Sequence, residues 1–167
     1  MSSDSATDRT RTITWHDPML SATAARGMSG LQMLQALIAG ELPPPPIFAL
    51  MGMELTEVSE GRAVFTMVPA EYHYNPIGSV HGGIAATLLD SAMGCAVNSL
   101  LPAGVTYTTL EIKVNYIRPL TTSTGIVRCE GKVLHLGGKT ATAEATLRNV
   151  DGKLLAHATT TCLIFRS

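Results

Sequence analysis

Residues 75–90 combine glycines and polar side chains that could together cleave an acyl group. The segment runs Asn75-Pro-Ile-Gly-Ser-Val-His81-Gly82-Gly83 and continues through an apolar stretch to Asp90. Glycines at the start of a helix leave unpaired backbone N–H groups that a ligand oxygen can approach closely. A buried carboxylate about two turns further along is costly unless it is paired or used. An N–H donor and a carboxylate base are the minimum that acyl transfer requires.

Each of these residues also has a purely structural interpretation. Asp90 could be a buried acid bonded to a neighbouring threonine, His81 could hydrogen-bond the helix start, and Gly82–Gly83 could form a plain tight turn. Thr87 and Gly94 share the helix face of Asp90 and give it a partly polar stripe that could hold a water molecule. The combination, rather than any single residue, favours a catalytic site.

The elements that must position these groups follow from the hydrophobic pattern. The apolar segment 84–101 predicts a central helix that buries all of its faces. A hairpin over residues 53–67 with a turn at Glu60–Gly61 is predicted before it, and strands at 125–136, 139–150 and 153–165 after it, with turns at Gly137–Gly138 and Asp151–Gly152. A further strand is predicted between Gly104 and Pro119. Its wetter face includes Thr109, and its buried face carries Leu110, Ile112, Val114 and Tyr116.

Short connections between strands favour antiparallel pairing, so the fold class is α+β, with one meandering sheet wrapped around one long helix. Residues 1–46 are predicted to form an N-terminal extension, which frays over its first seven residues. Ser29 caps a short helix there, and Pro43–Pro46 form an extended segment. Residues 47–167 then form the main domain.

Composition excludes several classes of partner and site. Twelve basic and thirteen acidic side chains give a net charge of −1, so neither nucleic acid nor an anionic membrane is an expected partner. The histidines lack a metal-binding spacing, so no metal site is expected. No stretch has the pattern of a secretory leader or a membrane span. We therefore expect a cytoplasmic protein with reduced thiols at its three cysteines, Cys95, Cys129 and Cys162.

The motif Asn-x-x-Gly-x-x-His-Gly-Gly, followed by a helix with Leu-x-Asp at Leu88–Asp90, resembles the PaaI-type hot-dog thioesterases. The resemblance covers residues 46–165 and includes Thr109, Arg118-Pro119, the turn 138–140 and the Asp151–Gly152 hairpin. It implies a hot-dog fold in which two protomers join edge to edge, with dimers often pairing into tetramers. It also implies that the active site lies at the dimer interface.

The resemblance assigns a role to each residue of the motif. Asp90 would be the general base or the nucleophile, and the resemblance leaves open whether it forms an anhydride or activates water. Gly82 N–H would polarise the thioester carbonyl. Asn75 and His81 would come from the partner protomer and orient the water or the leaving group, and Thr109 would hold the attacking water.

Coenzyme A would enter as part of the substrate, and no separate cofactor is expected. Residues 137–140 do not fit a phosphate-binding loop, because Val133 stands where a glycine would be needed and a strand follows. Lys139 with Arg118 or Arg128 is the expected contact for the phosphates. The full set of expected substrate-binding residues is Gly83, Thr108, Arg118, Gly138, Lys139 and Thr140.

The sequence therefore predicts an acyl-CoA thioesterase that acts on a medium-chain or aromatic acyl group. Two alternatives stay open: a non-catalytic acyl-CoA-binding hot-dog protein, and a hot-dog hydratase or dehydratase. Tyr72, His73 and Tyr74 could line an acyl pocket or simply pack the loop. The predicted assembly is a homodimer or a dimer of dimers.

Overall fold

The computed structural model describes residues 8–166; the expectation for the first seven residues lies outside this range. Three short helices come first: α1 (Pro18–Ala24), α2 (Gly30–Ile38) and α3 (Pro46–Met51). The long helix α4 (Gly82–Asn98) lies between the second and third strands. The strands are β1 (Met53–Ser59), β2 (Arg62–Met67), β3 (Thr106–Tyr116), β4 (Val127–Leu136), β5 (Thr140–Asn149) and β6 (Leu154–Phe165).

The six strands form one sheet in the order β1-β2-β4-β5-β6-β3, and every neighbouring pair is antiparallel. Helix α4 packs against all six strands. The predicted α+β fold, a sheet wrapped around one long helix, is confirmed. The predicted turns at Glu60–Gly61, Gly137–Gly138 and Asp151–Gly152 also connect the strands as expected.

The core lies between α4 and the inner face of the sheet. Leu88, Leu89 and Met93 of the helix are fully buried against strand residues such as Phe65 and Leu147. The opposite side of α4 is only half-buried, at Ala86, Thr87, Asp90 and Ser91. The prediction that α4 buries all of its faces is therefore wrong for a single chain, because the sheet covers one side of the helix.

A β-bulge in β3 overturns the predicted alternation of that strand. The register against β6 shifts between Thr109 and Glu111, so Leu110 is an extra residue and is 56% exposed. The bulge reverses the parity of the strand at this point. Thr109 therefore faces α4, as Ile112 does after the bulge, and the expectation that Leu110 would be buried is wrong.

The N-terminal extension packs onto the sheet and the end of α4. Ser29 and Gln32 form a reciprocal capping box at the start of α2, as the sequence predicts. Gly30 N–H donates to Leu101 O (2.9 Å), and Leu34 joins the main core. The proline run is extended only as far as its third member, because Pro46 begins α3, where its fixed φ suits a first helical turn. The division of the chain at residue 46 stays a prediction.

The two edges of the sheet differ. Helices α2 and α3 contact β1 at one edge. At the other edge, no strand within residues 8–166 pairs with the outer side of β3. Exposed apolar side chains lie along this edge at Leu110, Tyr116 and Ile117. An open edge of this length is a ready site for strand pairing. None of the helices in the described range has the length and hydropathy to cross a bilayer.

Helix α4 and the sheet are in close contact at Gly131, and this contact predicts a stability defect. A Cβ at this position would lie 2.3 Å from Ala92 O and 2.8 Å from Met93 N. We expect Gly131→Ala to lower the free energy of unfolding by about 3 kcal/mol, since α4 must move away from β4. Urea unfolding measures the change. Gly27→Ala is the control, because a Cβ at Gly27 meets nothing within 4 Å; equal stability of the two variants would contradict the packing.

Candidate active site

Asp90 lies half-buried on α4 and is held from β3. Thr109 Oγ1 donates a hydrogen bond to Asp90 Oδ1 (3.0 Å). No side chain or backbone group within residues 8–166 donates to Asp90 Oδ2. The carboxylate therefore has one fixed oxygen and one that is free to meet a water or a substrate carbonyl.

The groups beside Asp90 are uncharged at neutral pH. The hydroxyl of Tyr107 lies against Gly94, one turn beyond Asp90, only 2.6 Å from where a Cβ on that glycine would be. Burial raises the pKa of Tyr107 well above its usual value. Burial also raises the pKa of the Cys95 thiol to about 12, and that of the Cys162 thiol above its usual value. None of the three therefore supplies an anionic nucleophile.

The start of α4 presents hydrogen-bond donors. His81 Nδ1 accepts from Gly83 N–H (2.9 Å), so the neutral ring carries its proton on Nε2, and the side chain is exposed. Gly82 N–H finds no acceptor within residues 8–166. Tyr116 covers this glycine: its hydroxyl donates to Gly82 O (3.1 Å), and its ring lies 3.2–3.3 Å from where a Cβ would be. Tyr116 is a site residue that sequence reasoning did not select.

Asn75 orders the loop that leads into α4. Its Oδ1 accepts from Ile77 N–H (3.0 Å) and Ser79 N–H (3.2 Å), and its Nδ2 donates to Ser79 Oγ (3.1 Å). Val80 N–H then donates to Leu120 O (2.9 Å). The side chain of Asn75 is thus committed to the conformation of its own loop.

The two halves of the candidate site are separated within one chain. Gly82 and Asp90 are eight positions apart on α4, so about 12 Å of helix axis lies between them at 1.5 Å per residue. One thioester carbonyl cannot contact both groups across that distance. A cavity of about 270 Å³ lies at the Gly82 end, and its walls include His81, Tyr116 and Arg118.

The expected substrate-binding residues fall into separate places. Gly83 is exposed at the start of α4. Thr108 and Thr140 both pair with Leu163, so they share one corner of the sheet with the turn at Gly138–Lys139. They lie on the face opposite to that of Thr109. Arg118 follows the other end of β3, roughly 30 Å away, where its guanidinium donates to Leu154 O (2.7 Å).

Arg128 is committed elsewhere. It contacts Glu130 (2.6 Å) and Glu57 (3.3 Å) within a cluster of ion pairs that also includes Arg62 and Lys132. The hydrogen bond from Arg62, together with those from Lys132 and Arg128, lowers the pKa of Glu130 to about 2. Arg118 and Lys139 are thus better placed than Arg128 to meet a phosphate.

His73 packs the loop before Asn75 rather than lining a pocket. It is 4% exposed; its Nδ1 accepts from Ala70 N–H (3.0 Å), so Nε2–H donates to Met51 O (3.0 Å). His73 O accepts from His81 N–H (2.8 Å). Only Ala70 is a local partner; the other two, Met51 and His81, are distant in sequence, so no local sequence signal marks this role. Within residues 8–166, no cluster of His, Cys, Asp or Glu side chains is arranged to ligate a metal ion.

Comparison with known proteins places the chain in a family. The sequence model of the thioesterase superfamily matches residues 77–156. A candidate esterase from Archaeoglobus fulgidus is 33% identical over 67% of this chain and 70% of its own length. The chain belongs to the thioesterase superfamily. Its hot-dog fold and its class of reaction, the hydrolysis of thioesters, are those of the superfamily.

Two further members of the thioesterase superfamily carry more specific descriptions. A 1,4-dihydroxy-2-naphthoyl-CoA hydrolase from Listeria monocytogenes is 28% identical over 63% of this chain and 84% of its own length. The structure of a candidate thioesterase from Ralstonia eutropha JMP134, described as phenylacetic acid degradation-related, superposes with a TM-score of 0.71. It is 27% identical, and the match covers 78% of this chain and 98% of that one.

Burial of His73 predicts a pH-dependent stability. Desolvation lowers the pKa of His73 in the folded state, with the Arg11 charge adding to it, so the unfolded chain binds its proton at higher pH. The stability is then full above the unfolded pKa of about 6.5 and is lost as the pH falls below it. Urea unfolding at several pH values between 5 and 8 gives the free energy of unfolding as a function of pH. This free energy should depend less steeply on pH in His73→Gln than in the wild type. The exposed His135→Gln variant should keep the wild-type slope; an unchanged slope in His73→Gln would contradict the assignment.

Proposed function

We propose that the protein hydrolyses acyl-CoA thioesters at a site that two subunits build together, with Asp90 as the general base or the nucleophile. The observation that carries this proposal is the bond from Thr109 Oγ1 to Asp90 Oδ1, which leaves Oδ2 free on a half-buried face. A carboxylate held in this way has a fixed direction of attack.

Two courses of reaction fit this geometry. In one, Asp90 Oδ2 attacks the thioester carbonyl, the C–S bond breaks, coenzyme A leaves as the thiolate, and water hydrolyses the resulting anhydride. In the other, Asp90 takes a proton from a water molecule that Thr109 helps to hold, and this water attacks the carbonyl directly. The C–S bond then breaks, the free acid forms, and coenzyme A leaves as the thiolate, which can take the proton from Asp90. In both, Gly82 N–H stabilises the negative charge that develops on the carbonyl oxygen.

Pairing of two β3 edges would bring the separated halves together. Tyr116 touches Gly82 and Thr109 touches Asp90, so the two contacts are seven positions apart on β3. An antiparallel β3–β3 pair with its two-fold axis at Lys113, and with Leu110 of each strand left unpaired as the bulge, would place Thr109 opposite the partner subunit's Tyr116. Asp90 would then face the partner subunit's Gly82. This axis lies close to the middle of β3 (Thr106–Tyr116), where edge pairing covers the most backbone.

The same pairing supports roles for the remaining residues of the motif. The partner subunit's His81 would bring its exposed Nε2–H to the same carbonyl or to the leaving group. Asn75 would act through the loop, because its amide is already bonded within that loop. Since the site is complete only across the interface, a homodimer is the smallest active assembly, and a dimer of dimers is compatible with it.

Coenzyme A would lie across the same interface. With the two-fold axis at Lys113, Arg118 of one subunit approaches the partner subunit's Thr108, beside the corner that carries Lys139. Arg118 and the partner subunit's Thr140 would then be three strand spacings apart, about 14 Å. Lys139 adjoins Thr140 in sequence, so Arg118 and the partner subunit's Lys139 could meet different phosphate groups of one coenzyme A molecule. Gly83, Gly138 and Thr140 would lie nearby.

An aromatic or medium-chain acyl group is the proposed substrate class. The aromatic acyl group of the substrate named for the Listeria relative supports it. The surroundings of Asp90 are also suitable, because Tyr107 and Gly94 form an uncharged wall beside the carboxylate. Binding without turnover and hydration of an enoyl thioester are the competing functions.

Replacement of Asp90 tests the chemistry. With a panel of acetyl-, octanoyl- and phenylacetyl-CoA, we expect Asp90→Asn to lower kcat by about 10³-fold with little change in KM, because the amide is neither base nor nucleophile. Thiol release measures both constants. Asp151→Asn, at an exposed turn, is the control. Full activity of Asp90→Asn would overturn the mechanism. Binding without release by the wild type, or hydration of an enoyl-CoA, would favour the competing functions.

Mixed dimers test the shared site. We expect Asp90→Asn and His81→Ala chains to be nearly inactive alone, and a co-expressed mixture to regain about a quarter of the wild-type activity. Half of the randomly mixed dimers are heterodimers, and each of these has one intact site of two. Two different affinity tags isolate the heterodimer, whose activity should be about half that of the wild type. A heterodimer no more active than its parents would show that each site lies within one chain.

A further inference from the structure

The segment 8–12, here called the N-terminal strap, contacts two elements that flank the active-site loop. The Arg11 guanidinium donates to Leu50 O (2.7 Å) and Ala49 O (2.6 Å) at the end of α3. It also lies over the ring of Tyr72, 3.9 Å from the ring centre. Arg9 forms an ion pair with Glu71 (2.7 Å). The strap therefore joins α3 to residues 71–72, although these elements are far from it in sequence.

Arg11 is suited to this place by its geometry. The last carbonyl oxygens of a helix receive no hydrogen bond from an N–H group of the same helix. A planar guanidinium can donate to two of them at once. Its flat face is then free to stack on the tyrosine ring. Gly52 ends α3 in the left-handed region (φ 64°), and a Cβ there would approach both Tyr72 and Arg11. Arg11 is exposed, yet it contacts both the end of α3 and the ring of Tyr72.

A short series of contacts leads from this junction to the start of α4. The rings of Tyr72 and His73 pack edge to face, with centres 4.4 Å apart. His73 Nε2 donates to Met51 O, the residue after the two carbonyls that Arg11 holds. His73 O accepts from His81 N–H (2.8 Å). His81 and the adjoining Gly82 are the groups that the proposed mechanism aims at the thioester carbonyl.

We infer that Arg11 is a positioning residue of the active site, which holds His81 and Gly82 in place through Tyr72 and His73. This inference rests on the proposed function, because it gives the placement of the Gly82 amide a catalytic consequence. The strap lies before residue 77, where the match to the thioesterase superfamily begins. The strap therefore belongs to the N-terminal extension and not to the part of the chain that matches the superfamily.

The expected defect is partial and falls on kcat. The loop keeps other supports, the Tyr74–Val80 bridge and the bond from Val80 N–H to Leu120 O. Loss of Arg11 should therefore loosen the loop without unfolding it. A small displacement of an oxyanion donor affects the transition state more than substrate binding. We expect Arg11→Gln to lower kcat about 10-fold with KM nearly unchanged.

Matched variants separate positioning from general stability. Arg11→Lys keeps a charge that can donate to a carbonyl and should recover part of kcat. Arg26→Gln is the control, since Arg26 is exposed in the same extension and makes no ion pair within residues 8–166. In a His81→Ala background, Arg11→Gln should cost less in kcat than in the wild type, because the two changes act on one unit. Additive effects in that double-mutant cycle, or an unchanged kcat in Arg11→Gln, would overturn the inference.

Hydrogen exchange gives a readout that does not depend on activity. Exchange of the amides in residues 74–84, measured by mass spectrometry on the full chain, should be about 10-fold faster in Arg11→Gln and unchanged in Arg26→Gln. If the wild type hydrolysed no thioester, the proposed function would fail, and this measurement would still decide whether the strap orders the loop. Equal exchange in wild type and Arg11→Gln would overturn the inference even in an active enzyme.

Discussion

The contact between β3 and α4 is the constraint on which the candidate site depends. Thr109 bonds to Asp90 and Tyr116 bonds to Gly82, yet these two strand residues are an odd number of positions apart. In a regular strand they would point to opposite faces. The bulge at Leu110 removes this conflict, so both ends of one strand face the same helix. A single inserted residue thus allows β3 to hold the Asp90 carboxylate at one end and to pack over Gly82 at the other.

The sequence predicts most of the fold but not this bulge. Turn glycines and apolar patterns have local causes, and they place the hairpins and the central helix to within a few residues. Leu110 fits a perfect alternation with Ile112 and Val114, and no glycine marks it as a bulge, so its exposure depends on pairing with β6 and packing on α4. The role of His73 is hidden in the same way, because two of its three hydrogen-bond partners, Met51 and His81, are distant in sequence. The motif reveals which residues matter but not that Gly82 and Asp90 lie about 12 Å apart.

That separation connects assembly with catalysis. The open edge of β3 exposes backbone and apolar side chains, including Leu110 and Ile117, which a monomer would leave in water. Pairing of two edges would cover this surface and, in the proposed register, complete two sites at once. In that pairing, the half-buried face of α4 around Asp90 would be the part of the helix that the partner subunit covers.

The N-terminal extension, which lies outside the part of the chain that matches the superfamily, also contacts the elements that position the site. Helix α2 joins the core through Leu34 and meets the end of α4 through Gly30, whereas the strap meets the loop before the start of α4. The extension therefore contacts the end of α4 directly and, through residues 71–72, the loop that leads into its start. Since Asp90 is fixed from β3 and His81 from the loop, a change in the extension can move one half of the site relative to the other without touching either group. By this inference, residues outside the motif influence the rate at which this protein acts.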